Sequence, residues 1–205
     1  MIHGYHAIWG TYGFWLPNDP RGSWSDFVHS WELFQYGGAK KQLARNVDAE
    51  ELKSWKLTVT PVLQYPAVSL NGLQALEVAR GIGGFVTRNH LAIHAFSILP
   101  EHLHIVFGRL RYKAVIACQL LKGAATRQID QAGLHPLAEF RFENRKLPCM
   151  WASKQWIHYL DSDEAVFNAI RYVENNPIKE GKKKQTWSFV TPFEGISRGG
   201  WFKYN

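Results

Sequence analysis

Hydrophobic positions along the chain fall into short alternating runs and longer stripes near period 3.6, and their order predicts the fold. The N-terminal HGYHAIWGTYGFW is rich in β-formers and aromatic residues and predicts a first strand ending near Trp15. LPNDPRGSWSD follows as a loop, with two prolines, Asn18, Asp19 and Gly22. Residues 25–68 mix aromatic and charged positions without a clean period. With the loop, they form an expected insertion at about 16–68, ahead of the first core helix. Asn71 is a natural N-cap for a helix carrying Leu73, Leu76, Ala79 and Ile82 or Gly83 on one face. HLAIHAFSIL predicts a strand, PEH a tight connection, and LHIVFG its antiparallel neighbour. RYKAVIACQLLKGAATRQID places Val115, Cys118, Leu121, Ala125 and Ile129 at helical spacing, with a stop at Gly133. CMWASKQWIHYL predicts another strand. Asp161 and Glu164 resemble a capping box opening SDEAVFNAIRYVENN, a helix that Pro177 should end. A basic and aromatic tail, about 177–205, completes the chain with Trp187, Phe189, Phe193 and Trp201.

The order strand, helix, strand, strand, helix, strand is that of an α+β, ferredoxin-like (RRM-like) βαββαβ core. It implies a four-stranded antiparallel sheet with two helices on one face, followed by a further C-terminal helix. A length of 205 residues suits one such domain spanning 1–205.

Composition narrows the class. A hydrophobic content of 46% and an aromatic content of 14% favour a folded globule. With 24 Lys and Arg against 17 Asp and Glu, the net charge of +7 suggests a polyanionic partner such as nucleic acid. Nine tryptophans place some flat rings at the surface, where unpaired bases stack. Cys118 and Cys149 are too few for a disulfide framework and are expected as reduced core thiols. No stretch approaches the roughly 18 apolar residues of a membrane span and no signal peptide opens the chain, so a cytoplasmic protein is expected.

Residues two apart on a strand face the same way, so His102 and His104 converge on one side while Leu103 and Ile105 turn to the other. Neutral imidazole is the commonest metal ligand, and two of them suit one cation. The same pair also fits two hydrogen-bonded histidines on a solvated face. Tyr172 and Asn176 stand one turn apart on the last helix. Asn176 would supply an amide oxygen if that helix packs beside the histidine strand. Amphipathic packing beside Phe167, Ile170 and Val173 is the other reading of Tyr172.

ILPEHLHIVFG, QLLKGAATRQI, MWASKQWIHYL and AIRYVENNPIKEG together resemble the single-tyrosine HUH transposases, the insertion-sequence-200-like family. The likeness is closest to the REP-associated tyrosine transposases and covers roughly residues 1–15 and 70–190. It implies a bacterial, nucleoid-associated enzyme that cleaves and rejoins single-stranded DNA at hairpin or repeat ends. In that scheme Tyr172 is the nucleophile that forms a 5′-phosphotyrosine. His102, His104 and Asn176 hold Mg²⁺ or Mn²⁺, and Lys122, Lys179, Lys182, Lys183 and Lys184 contact DNA phosphates. The chain would act as a monomer or a homodimer. A non-catalytic RRM-like nucleic-acid-binding module and a plasmid replication or conjugation nicking enzyme are the alternatives. The resemblance assigns no role to 16–68.

Overall fold

The computed structural model describes residues 1–23, 26–28, 30–40 and 46–196. Strand β1 (Gly4–Gly10) opens the chain; α1 (Trp31–Phe34) and α2 (Ala49–Val59) follow inside the insertion. The core continues with α3 (Gly72–Arg88), β2 (Ile93–Ile98), β3 (His102–Phe107), α4 (Ala114–Gln131), β4 (Trp156–Leu160) and α5 (Asp163–Lys179). The four strands form one antiparallel sheet in the order β2-β3-β1-β4. This is the expected ferredoxin-like arrangement, an α+β fold.

The two sheet faces bury different things. Ala7, Trp9, Ile93, Phe96, Leu103, Ile105 and Phe107 pack against α3 and α4 in the larger core. Ala95, Val106 and Leu160 turn the other way and meet Val166, Ala169 and Val173 of α5. The result is three layers: two helices, the sheet, and α5 alone on the far face. That face also takes the even-numbered positions of β3, His102 and His104 among them.

Local chemistry explains most element ends. Asn71 caps α3 in a reciprocal box with Gln74. Gly133, at φ 70°, ends α4 in the left-handed conformation, and the Leu134 N–H returns to the Ile129 carbonyl at 2.9 Å. α5 differs from expectation. Its N-cap is Ser162, whose hydroxyl accepts from Ala165 N, while the adjacent Asp163 carboxylate accepts from the His3 ring at 2.6 Å. Pro177 does not end α5, which runs on to Lys179. In the last turn a proline removes only one backbone hydrogen bond, so a final half-turn survives it.

Three other expectations are corrected. β1 ends at Gly10 rather than near Trp15, because Thr11 keeps only an isolated bridge to Trp151 and Tyr12–Phe14 form a turn. Leu73 and Leu76 are exposed, and the buried stripe of α3 is Val78, Ala79, Ile82 and Val86. A series of i+3 steps drifts by about 60° per step around a helix, whereas mixed three- and four-residue steps stay on one face. Val115 is likewise exposed, and Ala114 and Ala117 take the buried side of α4. Of the two thiols, Cys118 lies in the core and Cys149 is exposed.

Within the described part of the tail, Trp187, Phe189 and Phe193 pack against other rings. Trp187 and Phe189 lie edge-on to Phe96, with centroids at 5.5 and 5.3 Å, and Phe193 meets Phe167 and His94. The Gln185 side chain bonds both the N–H and the carbonyl of Ile98, and Thr191 N donates to Ile93 O at 2.7 Å. Trp201 lies outside the described residues.

Candidate active site

β3 and α5 bring the expected residues together. His102, His104 and the Tyr172 ring form a chain, with centroids 5.2 Å apart between the histidines and 5.5 Å from His104 to Tyr172. Asn176 follows one turn along α5 and is buried. Tyr172 keeps 45% of its surface exposed.

A third histidine joins them. His6, on β1, lies one diagonal step from His104, which pairs directly with Ile8. Its Nε2 is 3.0 Å from His104 Nδ1, and its ring centroid is 5.8 Å from that of Tyr172. Only one of two facing nitrogens carries a hydrogen, so one ring donates and the other accepts. Nε2 of His104 has no hydrogen-bond partner among the described residues. The signal for His6 was its parity: in GYHAIW it alternates with the core residues Ala7 and Trp9 only if it sits on their neighbours' opposite face. Which strand would lie beside it was not readable.

Burial keeps all three rings neutral. It lowers the pKa of His104 to about 2, helped by His102 and His6, and that of His6 to about 4, helped by His158. Burial also lowers that of His102, against the opposing pull of Glu180 and Glu101. Neutral imidazoles keep the lone pair that a cation needs.

Two buried nitrogens here lack hydrogen bonds among the described residues: His102 Nδ1 and Asn176 Nδ2, with the Ser97 hydroxyl opposite His104 a third orphan. Unpaired buried polar atoms are costly, and a ligand or ordered water relieves them. Two neutral imidazoles and the Asn176 amide oxygen suit a divalent cation as donors; of the orphaned atoms, His102 Nδ1 and the Ser97 hydroxyl can ligate one, whereas Asn176 Nδ2 is a hydrogen-bond donor that needs an acceptor. No group of three His, Cys, Asp or Glu side chains suited to an ion occurs among the described residues.

Of the basic residues, Lys179 stands closest to this chemistry, its ammonium 4.9 Å from the Tyr172 ring centroid. Lys182 and Lys183 are exposed, and Lys184 pairs with Glu174 at 2.9 Å. Lys122, the other lysine expected to contact phosphate, is placed apart from this cluster. It lies on α4, across the sheet from the histidines, with Nζ donating to Ala152 O at 3.0 Å and Gln155 Oε1 at 3.1 Å. Its ammonium is buried and already engaged.

The turn after β1, just ahead of the insertion, reaches the site through Phe14. Its ring stacks on His102 at 5.2 Å and 8°, and Gly10, opposite His102 on β1, makes room for it. A Cβ on Gly10 would approach Phe14 Cδ1 to 3.1 Å.

No helix among the described residues is long and apolar enough to cross a membrane. No family model matches the sequence, and no curated protein matches it. Among solved structures, the chain is similar to a REP-associated tyrosine transposase bound to a REP hairpin, with 13% identity and a TM-score of 0.44 over 89% of this chain and 71% of that one. It is also similar to a protein of Deinococcus radiodurans described as a candidate transposase, with 16% identity and a TM-score of 0.38 over 85% of this chain and 91% of that one.

Proposed function

We propose that this chain is a single-tyrosine HUH enzyme that cuts and rejoins single-stranded DNA at hairpin or repeat ends. The observation that carries the proposal is the half-exposed phenol of Tyr172 beside neutral His104 and buried Asn176, with the Lys179 ammonium over its ring. A packing tyrosine needs none of these neighbours.

In this reading Tyr172 Oη attacks the scissile phosphorus in line. The bond from phosphorus to the 3′-oxygen breaks, the 5′-phosphate stays on the tyrosine, and the phenolic proton ends on the departing 3′-hydroxyl. The phosphoryl bond energy is kept in the link, so the reverse attack by a 3′-hydroxyl rejoins the strand without another energy source. His102 Nδ1, His104 Nε2 and the Asn176 amide oxygen would hold Mg²⁺ or Mn²⁺. When bound, the cation would supply charge stabilisation at the phosphate. His6 accepts from His104 Nδ1–H and so leaves the other nitrogen of that ring free, the role of a positioning residue. Lys179 neutralises phosphate charge near the phenol, and Lys182, Lys183 and Lys184 extend the basic surface along the tail.

The test is a denaturing gel of the protein with a labelled hairpin carrying unpaired flanks, with and without Mn²⁺. Wild type gives a covalent protein–DNA band. Tyr172→Phe, which removes one oxygen from a half-exposed ring, folds and binds but gives no band. His102→Ala and His104→Ala lose the band as well. An adduct that survives in Tyr172→Phe refutes the assignment of the nucleophile. Binding without any adduct from wild type, in either metal, points to a non-catalytic module.

A further inference from the structure

The loop after β1 is built more rigidly than a connection requires. Asn18 and Asp19 are completely buried. Asn18 Nδ2 donates to Leu33 O at 2.8 Å, Ser23 Oγ donates to Pro17 O, and Lys40 N donates to Pro17 O at 3.1 Å. Buried Asp19 grips Arg21 with both oxygens, at 2.9 and 2.8 Å, through Nε and Nη2. Arg21 in turn lies over the Trp15 ring at 4.4 Å, and the Trp15 indole N–H donates to Gly22 O at 2.7 Å. One tryptophan is thus fixed by its nitrogen and backed by a fixed guanidinium, yet 42% of it remains exposed. A loop that only closed the end of the sheet would bury that ring.

Trp15 stands edge-on to Phe14 at 5.6 Å, and Phe14 stacks on His102. Lys56 also points at Phe14, 5.1 Å from its centroid, and is paired with Glu101 at 3.4 Å. The two cations beside these rings, Arg21 and Lys56, are already paired with Asp19 and Glu101. An anion gains little here, whereas a flat, uncharged ring gains a pre-formed stacking surface. We infer that the Trp15 face, one aromatic ring away from His102, is a stacking subsite for one unpaired nucleobase flanking the scissile phosphate. This rests on the single-strand reading above. It gives the 16–68 insertion a task, holding Trp15 in place through Asp19 and Leu33.

Stacking on an immobilised ring differs from phosphate contact in one measurable way: it leaves the salt dependence alone. The probe is a fluorescein-labelled hairpin with unpaired arms, taken from the DNA flanking the gene and titrated by anisotropy against Tyr172→Phe protein to prevent turnover. Adding Trp15→Leu weakens binding about tenfold with an unchanged salt slope, while Trp15→Phe keeps most of the affinity. Abasic sites walked along the arms then locate the base. At one position the abasic change weakens the parent protein but not the Trp15→Leu protein. Mn²⁺ binding of Trp15→Leu stays at the parent value, and the protein remains folded at the assay temperature. Parent-like affinity in Trp15→Leu, a changed salt slope, or an abasic scan with no such position overturns the inference. An adduct from wild type together with a flat scan removes the subsite and spares the chemistry. A positive scan without an adduct removes the chemistry and spares the subsite.

Discussion

Three glycines of α3, Gly81, Gly83 and Gly84, face three different neighbours, and changing each to alanine separates the forces that pack the helical layer. In an exposed helix the change stabilises by about 0.8–1 kcal/mol. At Gly84 a new Cβ would meet only the tip of Arg88, 3.3 Å away, and that side chain swings aside. Gly84→Ala therefore gains close to the full propensity. At Gly81 the Cβ would lie 2.7 Å from the Ala124 carbonyl and Gln128 Cβ, and 2.9 Å from Ala125 Cα. Two of these are backbone atoms of α4, so the helices must part. Such overpacking costs roughly 1–3 kcal/mol, and separation also loosens Ala79 and Ile82 against Leu121 and Ala125. Because backbone cannot swing aside, the upper part of that range applies, and Gly81→Ala is net destabilising by about 1–2 kcal/mol after its propensity gain. Gly83→Ala falls between, because its 2.6 Å neighbour is the Phe189 side chain of the tail. For a chain of this size 1 kcal/mol moves the melting temperature by roughly 2–4 °C. Calorimetry should show Gly84→Ala melting above wild type and Gly81→Ala below it. A Gly81→Ala protein as stable as Gly84→Ala would refute the close approach of α3 and α4.

Lys122→Met strands the Ala152 carbonyl and the Gln155 amide oxygen, so urea unfolding should show a loss of about 1–3 kcal/mol with DNA affinity unchanged; weaker DNA binding at unchanged stability would restore the phosphate contact. His6 and His104 stay neutral when folded but protonate near 6.5 when unfolded. The stability they contribute is complete above about pH 7 and declines as pH falls from about 6.5 toward 4, by up to about 1.4 kcal/mol per group per unit. The urea midpoint of metal-free protein at pH 7.5 should exceed that at pH 5.5, and equal midpoints would contradict their burial. A thiol reagent should label exposed Cys149 at once in the native protein. Cys118, pushed up to about 12 by burial, should react only on unfolding, so equal native rates would place it outside the core.

The sheet was legible because its signals are local. Alternation in HLHIVF put His102 and His104 on one face, and Asn71 and Gly133 marked where helices start and stop. Tyr172 and Asn176 followed from helical spacing. What escaped depends on pairing across the chain. His6 meets His104 through strand register, 98 residues apart. Phe14 meets His102 because the chain folds back after Gly10, and nothing in GTYGFW states the direction of that turn. Lys122 had a readable hint, since it adjoins Leu121 and sits one turn from Cys118 and Ala125 on the buried side of α4. Its carbonyl partners at 152–155 lie in a segment without regular structure, and no periodicity reports on those.

The amide of Gln185 on Ile98 and the backbone of Thr191 on Ile93 also determine what this protein does when damaged. The sequence of β2, IHAFSI, is uncharged, rich in β-formers and free of proline, the composition that stacks readily into fibrils. As an outer strand of the sheet it would offer unsatisfied backbone groups to any other chain. The tail occupies three of those groups, the N–H and carbonyl of Ile98 through one side chain and the carbonyl of Ile93 through one backbone amide, and lays Trp187 and Phe189 beside them. A protease cut after Lys184, in the exposed basic run, would free this cover without touching any core element. The clipped protein would keep its sheet and its histidines but gain a sticky margin, so loss of solubility should precede loss of fold.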